Sequence, residues 1–323
     1  MSSRATRPTF VVSLDKELVW GSRDHTSARD FERKYPDLRG VVRELLDTLD
    51  EYGVAATWAV VGHLFLSSCT RDASGRAHPE IARPDYSWYP DDWFKTDPCT
   101  DRARDPLWYG DDIVEWIRGA KVAHDIGSHS FSHLIFGDAG CSAAAAKSDL
   151  TACVEAARAK GIQLKSFVFP RNREGHHQVL RDSGIVAYRG VDPTWYRAFP
   201  KKLKRLAHFT DQALALTPPV SLPVETLPGL WNIPGSMMLL HRGGVRRHIS
   251  VGTRVAKGKA GLRRAVEEGK IFHLWFHPFN LAHDRAEMFA ALRGILAEAA
   301  RLRDSGALDV RTMAGVADAL SSR

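Results

Sequence analysis

The sequence predicts an α/β protein in which buried strands alternate with amphipathic helices. A strand, a helix and a second strand are indicated early in the chain, and the same alternation returns downstream to the end. The composition, 44% hydrophobic and 26% charged, is sufficient for a sizeable core. A parallel barrel and a doubly wound sheet both satisfy this pattern, and 323 residues can form one domain or two.

The first elements carry clear signals. Residues 9–14 are rich in β-branched and aromatic side chains and stop at Asp15, which predicts a buried strand with a carboxylate at its C-terminal end. Residues 37–52 have apolar side chains at helical spacing and end before Gly53, which predicts an amphipathic helix. Residues 54–61 are the next predicted strand.

The later elements continue the alternation. The predicted helices are residues 111–119, 142–160, 178–183, 201–214, 257–268 and 285–303, and the predicted strands are residues 122–127, 166–169, 185–188, 230–233, 271–276 and 308–311. Two stretches interrupt this pattern. Residues 69–109 mix five prolines with many aromatic side chains, which predicts an inserted loop or lid. Its aromatics either pack the loop onto the body or form a stacking platform for a sugar. Residues 217–235 contain five prolines and are predicted to be an extended connection.

Charge and cysteine content narrow the class of protein. Forty-five Lys and Arg against 38 Asp and Glu give a net charge of +7, which favours a phosphate-bearing partner. No nucleic-acid-binding signature accompanies the charge, so we expect no nucleic acid partner.

The four cysteines form no C-x-x-C pair, which predicts reduced thiols with no disulfide framework or zinc knuckle. No signal-peptide core and no run of about 18 apolar residues occurs, so we expect a cytoplasmic protein without a transmembrane segment, with peripheral membrane contact as an alternative. The sequence predicts no particular oligomeric state.

Residue types typical of a catalytic metal site follow two predicted strands. Asp15 and Glu17 lie at the end of the first strand. His129 and His133 are four residues apart and follow a strand that runs into a turn of small residues, where α/β folds carry their chemistry. Two imidazoles and one carboxylate leave positions open for water and substrate, and a second carboxylate can act as a base. The spacing H-x-x-x-H is weak by itself, because exposed or core histidines also produce it.

Four motifs in fixed order resemble the polysaccharide deacetylases, carbohydrate esterase family 4 with its NodB homology domain. They are residues 13–21 (SLDKELVWG), 127–133 (GSHSFSH), 167–172 (FVFPRN) and 274–278 (LWFHP), and residues 310–316 look like the closing strand and helix. The first motif is similar to that of a cytoplasmic-type branch. The resemblance spans the chain and implies an irregular seven-stranded (β/α) barrel. It implies a single domain over residues 1–323, with residues 69–109 as an insertion.

The resemblance also implies a role for individual residues. His129 and His133 would bind a divalent metal, with Zn expected and Co, Ni or Fe as alternatives. His277 would protonate the leaving amine. Lys16 occupies the usual position of the metal-binding Asp, so the D-x-D spacing of some relatives implies Glu17 as the third ligand and Asp15 as the catalytic base. Residues 15 and 17 of a strand point to one face, and the opposite assignment of the two carboxylates is the alternative.

The third motif departs from the family pattern. The family arginine that holds the base is replaced by Val168, and Arg171 is the predicted substitute, with an ordinary surface arginine as the alternative. Asn172 is predicted to bind substrate. Trp20 is predicted either to line the substrate site or to pack a loop.

These features together imply a metal-dependent hydrolase that removes an N-acetyl group from an amino sugar. The positive charge and the missing export signal favour a glycan or glycolipid precursor, carried on a nucleotide or a lipid pyrophosphate, over a finished wall polymer. Two alternatives stay open. One is a hydrolase of the same fold acting on a non-sugar amide or ureide. The other is a catalytically inactive carbohydrate-binding module, which Lys16 and the altered third motif suggest.

Overall fold

The structure, a computed structural model, describes residues 2–3 and 7–322. Its strands are β1 (Ser2–Ser3), β2 (Thr9–Lys16), β3 (Thr57–Val60), β4 (Asp125–Ser128), β5 (Ser166–Val168), β6 (Ala187–Arg189), β7 (Val224–Leu227), β8 (Leu230–Asn232), β9 (Met237–Met238), β10 (Ile271–Phe276) and β11 (Asp309–Val310). Its α-helices are α1 (Ala28–Lys34), α2 (Leu38–Tyr52), α3 (Asp111–Arg118), α4 (Ala143–Ala159), α5 (His177–Asp182), α6 (Lys201–Ala213), α7 (Val251–Glu268), α8 (Arg285–Asp304) and α9 (Met313–Ser321).

Seven parallel strand segments surround the centre of the protein. Strands β2, β3, β4, β5 and β6 pair in that order, and β10 pairs with the other side of β2. The segment from β8 to β9 closes the ring, because β8 pairs with β6 and β9 pairs with β10. The predicted α/β class and irregular seven-stranded (β/α) barrel are therefore confirmed.

Side chains of β2 alternate between the helices outside the barrel and its interior. Phe10, Val12 and Leu14 belong to the large apolar cluster that the outer helices cover. Val11 belongs to a smaller cluster inside the ring, where α9 closes the barrel below the site. Ser13 and then Asp15 continue the inward-facing row toward the C-terminal end of the strand. The alternation thus brings Asp15 into the mouth of the barrel.

Several elements differ from the sequence prediction. The proline-rich residues 217–235 contain β7, which pairs antiparallel with β8. Helix α1 was not predicted, because Phe31 is its only fully buried side chain and gives no periodicity. Helix α7 begins six residues before the predicted start, at a Ser250 cap whose side chain accepts a hydrogen bond from the amide of Thr253.

The segment of residues 69–109 contains no helix or strand and still packs closely onto the barrel. Its aromatic residues Tyr86, Trp93 and Phe94 are buried, whereas Trp88 is half exposed. Arg23 fastens the segment by donating to the carbonyl oxygens of Trp93 and Ser132. Most of these rings therefore serve packing.

Among residues 7–322, no helix is both long and apolar enough to cross a membrane.

Candidate metal centre and active-site cleft

The candidate site lies where parallel strands end at one edge of the barrel. Glu17 follows β2, His129 follows β4 and His277 follows β10, while Arg189 is the last residue of β6. The strands run parallel and in close register, so their C-terminal ends meet in one place. Residues far apart in the chain thereby share one cleft.

The carboxylate of Glu17 faces two imidazoles. Its Oε1 lies 3.0 Å from Nε2 of His129 and 3.2 Å from Nε2 of His133. Nδ1–H of His129 donates to the carbonyl oxygen of Val168 at 2.8 Å, so its Nε2 presents a lone pair to a carboxylate oxygen. Ligands about 2.0–2.1 Å from a tetrahedral ion lie about 3.3 Å apart, close to these distances. The three side chains therefore fit a divalent cation.

The backbone around His133 is held in an uncommon shape. Ser130 and His133 adopt left-handed φ angles of 59° and 57°. Asp149 of α4 fixes this turn, because its carboxylate accepts from the amides of Phe131 and Ser132 at 2.7 and 3.0 Å. Burial raises the pKa of Asp149 to about 6. The left-handed residues make the turn strained, and the hydrogen bonds to Asp149 and the packing around it hold the turn in this conformation.

A tight turn places Glu17. Leu18 has φ of 49°, and the chain enters a 3-10 turn over Leu18–Gly21. A Cβ on Gly21 would lie 1.8 Å from Oε2 of Glu17, so only glycine leaves room for this carboxylate. Burial of Glu17 would raise its pKa, but the imidazoles of His277 and His133 outweigh burial and hold that pKa well below its usual value.

Lys16 lies outside the cleft. Its neighbouring charges are Arg39 and Asp112 on the helix side of β2, and burial together with Arg39 lowers its pKa to about 7. The alternation of the strand thus directs Lys16 away while Asp15 and Glu17 line the same cleft.

Arg189 holds Asp15 by two parallel hydrogen bonds. Its Nη1 and Nη2 lie 2.7 Å from Oδ1 and Oδ2 of Asp15. The guanidinium is buried and also donates to Ser13 Oγ at 3.0 Å and to Asn172 Oδ1 at 3.2 Å. Burial of Asp15 would raise its pKa, but Arg189 and then His277 lower it, so the group stays ionised.

The arginine that holds Asp15 differs from the sequence prediction, which assigned this role to Arg171. Arg171 has φ of 55° in the turn after β5, and its Nη2 contacts Oδ2 of Asp24 at 2.5 Å. The arginine on Asp15 comes instead from β6, the neighbouring strand. The available signal was a lone arginine at the end of a short apolar strand.

His277 lines the cleft beside both carboxylates. Its Nε2 is 3.3 Å from Oε1 of Glu17 and 3.7 Å from Oδ2 of Asp15. The ring stacks on Phe279, with centroids 4.6 Å apart. Burial lowers the pKa of His277, but the carboxylates of Glu17 and Asp15 outweigh burial and raise it.

The cleft has a volume of about 330 Å³ and a mixed lining. Its lining includes four aromatic side chains, Phe31, Tyr35, Trp275 and Phe279, two cationic ones, Lys34 and Arg171, and the imidazole of His25 beside those of His133 and His277. Asn172 lines it as well, beside Asp15. Trp20 does not line it: the ring is buried against Trp108 and its Nε1–H donates to the Trp108 carbonyl oxygen. Trp20 is therefore a packing residue, the second of its two predicted roles.

Comparison with known proteins shows the fold. No protein-family model and no curated protein sequence matches the chain. A solved structure described as a polysaccharide deacetylase from Mycobacterium smegmatis is 17% identical with a TM-score of 0.62, covering 100% of this chain and 93% of that one. One from Pseudomonas aeruginosa PAO1 is 11% identical with a TM-score of 0.59, covering 98% and 94%. The PuuE allantoinase is 11% identical with a TM-score of 0.58, covering 98% and 93%. The chain thus has the (β/α) barrel fold of these proteins.

Proposed function

We propose that the protein is a divalent-metal-dependent hydrolase that removes the N-acetyl group from an amino sugar. One observation carries this proposal: a two-histidine, one-carboxylate group shares a cleft with an arginine-held carboxylate and a third histidine. The solved structures described as polysaccharide deacetylases share the fold and support the same reading.

The proposed ligands are Glu17, His129 and His133. A divalent ion on them would polarise the acetamide carbonyl and stabilise the charge that develops on its oxygen. Two nitrogens and one oxygen suit zinc, and cobalt, nickel and iron accept the same set. Asp15 is the poorer ligand of the two carboxylates, because both its oxygens already accept from Arg189.

Asp15 is the proposed base and His277 the proposed acid. The Asp15 carboxylate, kept ionised and oriented by Arg189, takes a proton from the attacking water. The hydroxyl oxygen bonds to the carbonyl carbon, the C–N bond breaks, and the nitrogen takes a proton from His277 Nε2. The products are acetate and a free amine. Asn172, next to Arg189 at the cleft, is proposed to contact the sugar.

The lining supports an amino sugar on an anionic carrier. The half-buried ring of Phe279 offers an apolar surface to a sugar ring, and Lys34 offers a positive charge to a phosphate. We therefore propose a precursor linked to a nucleotide or a lipid pyrophosphate.

Acetate release tests the proposal. Zinc-loaded protein is incubated with N-acetylated amino sugars that are free, nucleotide-linked or lipid-pyrophosphate-linked. We expect acetate from at least one of them, and its loss in His129→Ala but not in His177→Ala, a half-buried histidine outside the cleft. Cleavage of a ureide without acetate release from any sugar would instead support an activity like that named for the PuuE allantoinase. No hydrolysis of either class at full metal occupancy would make the proposal wrong.

A further inference from the structure

A second group of metal-binding residue types lies outside the cleft, around the segment of residues 69–109. His63, Cys69, His78 and Asp97 each offer one ligand atom, and these atoms all lie within 4.8 Å of one another. His63, His78 and Asp97 are buried, and none of the four residues lines the cleft. We propose that this group, here called the loop site, binds a structural zinc ion that fixes the segment onto the barrel.

The distances at the loop site match a tetrahedral zinc. Nε2 of His63 and Nε2 of His78 each lie 3.2 Å from Oδ2 of Asp97. Sγ of Cys69 lies 3.5 Å from Nε2 of His63 and 3.8 Å from Oδ2 of Asp97. Zinc bonds of about 2.0–2.1 Å to nitrogen or oxygen and about 2.3 Å to sulfur set these edges at about 3.3 Å and about 3.5 Å. Four of the six distances between the ligand atoms therefore fit one tetrahedral ion, and all six are within 4.8 Å.

The hydrogen bonds around the loop site orient its members inward. Nδ1–H of His63 donates to the carbonyl oxygen of Trp108 at 3.1 Å, so its Nε2 lone pair faces the Asp97 carboxylate. Two acceptors at that distance need a cation or a proton between them. The second oxygen of Asp97 accepts from the amide of Cys99 at 2.9 Å, which leaves Oδ2 directed at both imidazoles. One ligand atom from each of two imidazoles, a thiol and a carboxylate would fill the four positions of a tetrahedral ion, as a structural site requires.

The loop site explains how a long segment without helices or strands stays ordered. His63 lies in the 3-10 turn after β3, and Cys69, His78 and Asp97 are spread along the segment. Long loops of this kind are uncommon in compact domains unless something fixes them, and a metal that binds only the folded chain supplies that free energy. The ring of Trp20 packs on His63 with centroids 4.5 Å apart, so the site also supports the turn after β2. Cysteine spacing gave no sign of it, because only one of the four ligands is a cysteine.

Cobalt spectroscopy tests the loop site independently of the proposed function. The full-length protein is stripped of metal and titrated with Co²⁺, which accepts the same ligands as zinc. Of the two proposed sites, only the loop site contains a cysteine, whose thiol would lose its proton on binding the metal, so we expect a thiolate-to-cobalt charge-transfer band and binding of about two ions per chain. Cys69→Ser should abolish the band, and Cys141→Ser, a matched change at a buried cysteine elsewhere, should keep it. His129→Ala should lose one ion and retain the band.

Three results of the cobalt titration would contradict the loop site as proposed. A wild-type protein that binds cobalt with no charge-transfer band overturns the proposal and leaves a proton-bridged network of His63, His78 and Asp97. A band that survives in Cys69→Ser and vanishes in Cys99→Ser overturns the ligand set. The wild-type spectrum decides by itself if Cys69→Ser fails to fold. Loss of both ions in His129→Ala would contradict two separate sites.

Discussion

Replacing Arg189 with methionine should destabilise the protein strongly and abolish most of its activity. The change leaves the Asp15 carboxylate buried without its bidentate partner and removes a guanidinium packed 4.2 Å from the centre of the Trp275 ring. Breaking a buried pair in this way costs about 3–5 kcal/mol of unfolding free energy. A base that has lost its orientation should lower kcat/KM for acetate release by about 100-fold. Urea denaturation and acetate release measure the two effects.

Arg171→Met is the matched control. The side chain of Arg171 is 35% exposed in its pair with Asp24, so its loss should cost no more than about 1 kcal/mol. The double variant Asp15→Asn/Arg189→Met should be more stable than Arg189→Met, because the uncompensated charge is gone. Equal destabilisation by Arg171→Met and Arg189→Met would refute the assignment of Arg189 as the residue that positions Asp15.

Three further changes test the surroundings of the site. Gly21→Ala should displace Glu17 and weaken metal binding about 10- to 100-fold in a chelator competition. Gly252→Ala should not, because its added Cβ would meet only Ser250 Oγ, at an ordinary contact distance of 3.7 Å; equal affinities of the two variants would contradict the placement of Glu17 by Gly21. Lys16→Met should keep kcat within a few-fold, and a large loss would place Lys16 in the site. Burial raises the pKa of Asp149 from 3.8 to about 6, so the unfolding free energy should fall as pH rises through this range, by up to about 3 kcal/mol. Asp149→Asn should flatten that slope in urea denaturation at pH 4–7, and an unchanged slope would assign it to other groups.

Much of the fold was predictable because its signals are local. Strand β10 was predicted with its observed bounds, since a fully buried parallel strand appears as one apolar run. Helix α2 was predicted within one residue from its spacing and its terminal Gly53. Strand β7 was missed because it is short, lies among prolines outside the parallel barrel and is only half buried, so no alternation marks it.

The site was predictable only where residues follow strand ends in recognisable motifs. Asp15, Glu17, His129, His133 and His277 were all named from the sequence, and the structure places them in one cleft or against it. Their chemical roles remain predictions.

Arg189 was not foreseeable in the same way. Its contact with Asp15 joins residues 174 positions apart, and its place at the end of a short apolar strand does not show which carboxylate it meets. Trp20 is the opposite case, a motif residue that was a candidate for the site and lies outside it. The turn after Glu17 directs its ring into the core beside His63. Such outcomes depend on strand neighbours and turn geometry, which one sequence does not encode locally.

Anomalous diffraction at the zinc absorption edge, from crystals of the zinc-loaded protein, locates the metal and its ligands. We expect a peak about 2.0–2.2 Å from Glu17 Oε1 and from the Nε2 atoms of His129 and His133. We also expect Asp15 to stay paired with Arg189 and not to bind that ion. No peak between the two histidines, or a peak ligated by Asp15 with Glu17 more than about 4 Å away, would contradict the proposed metal site.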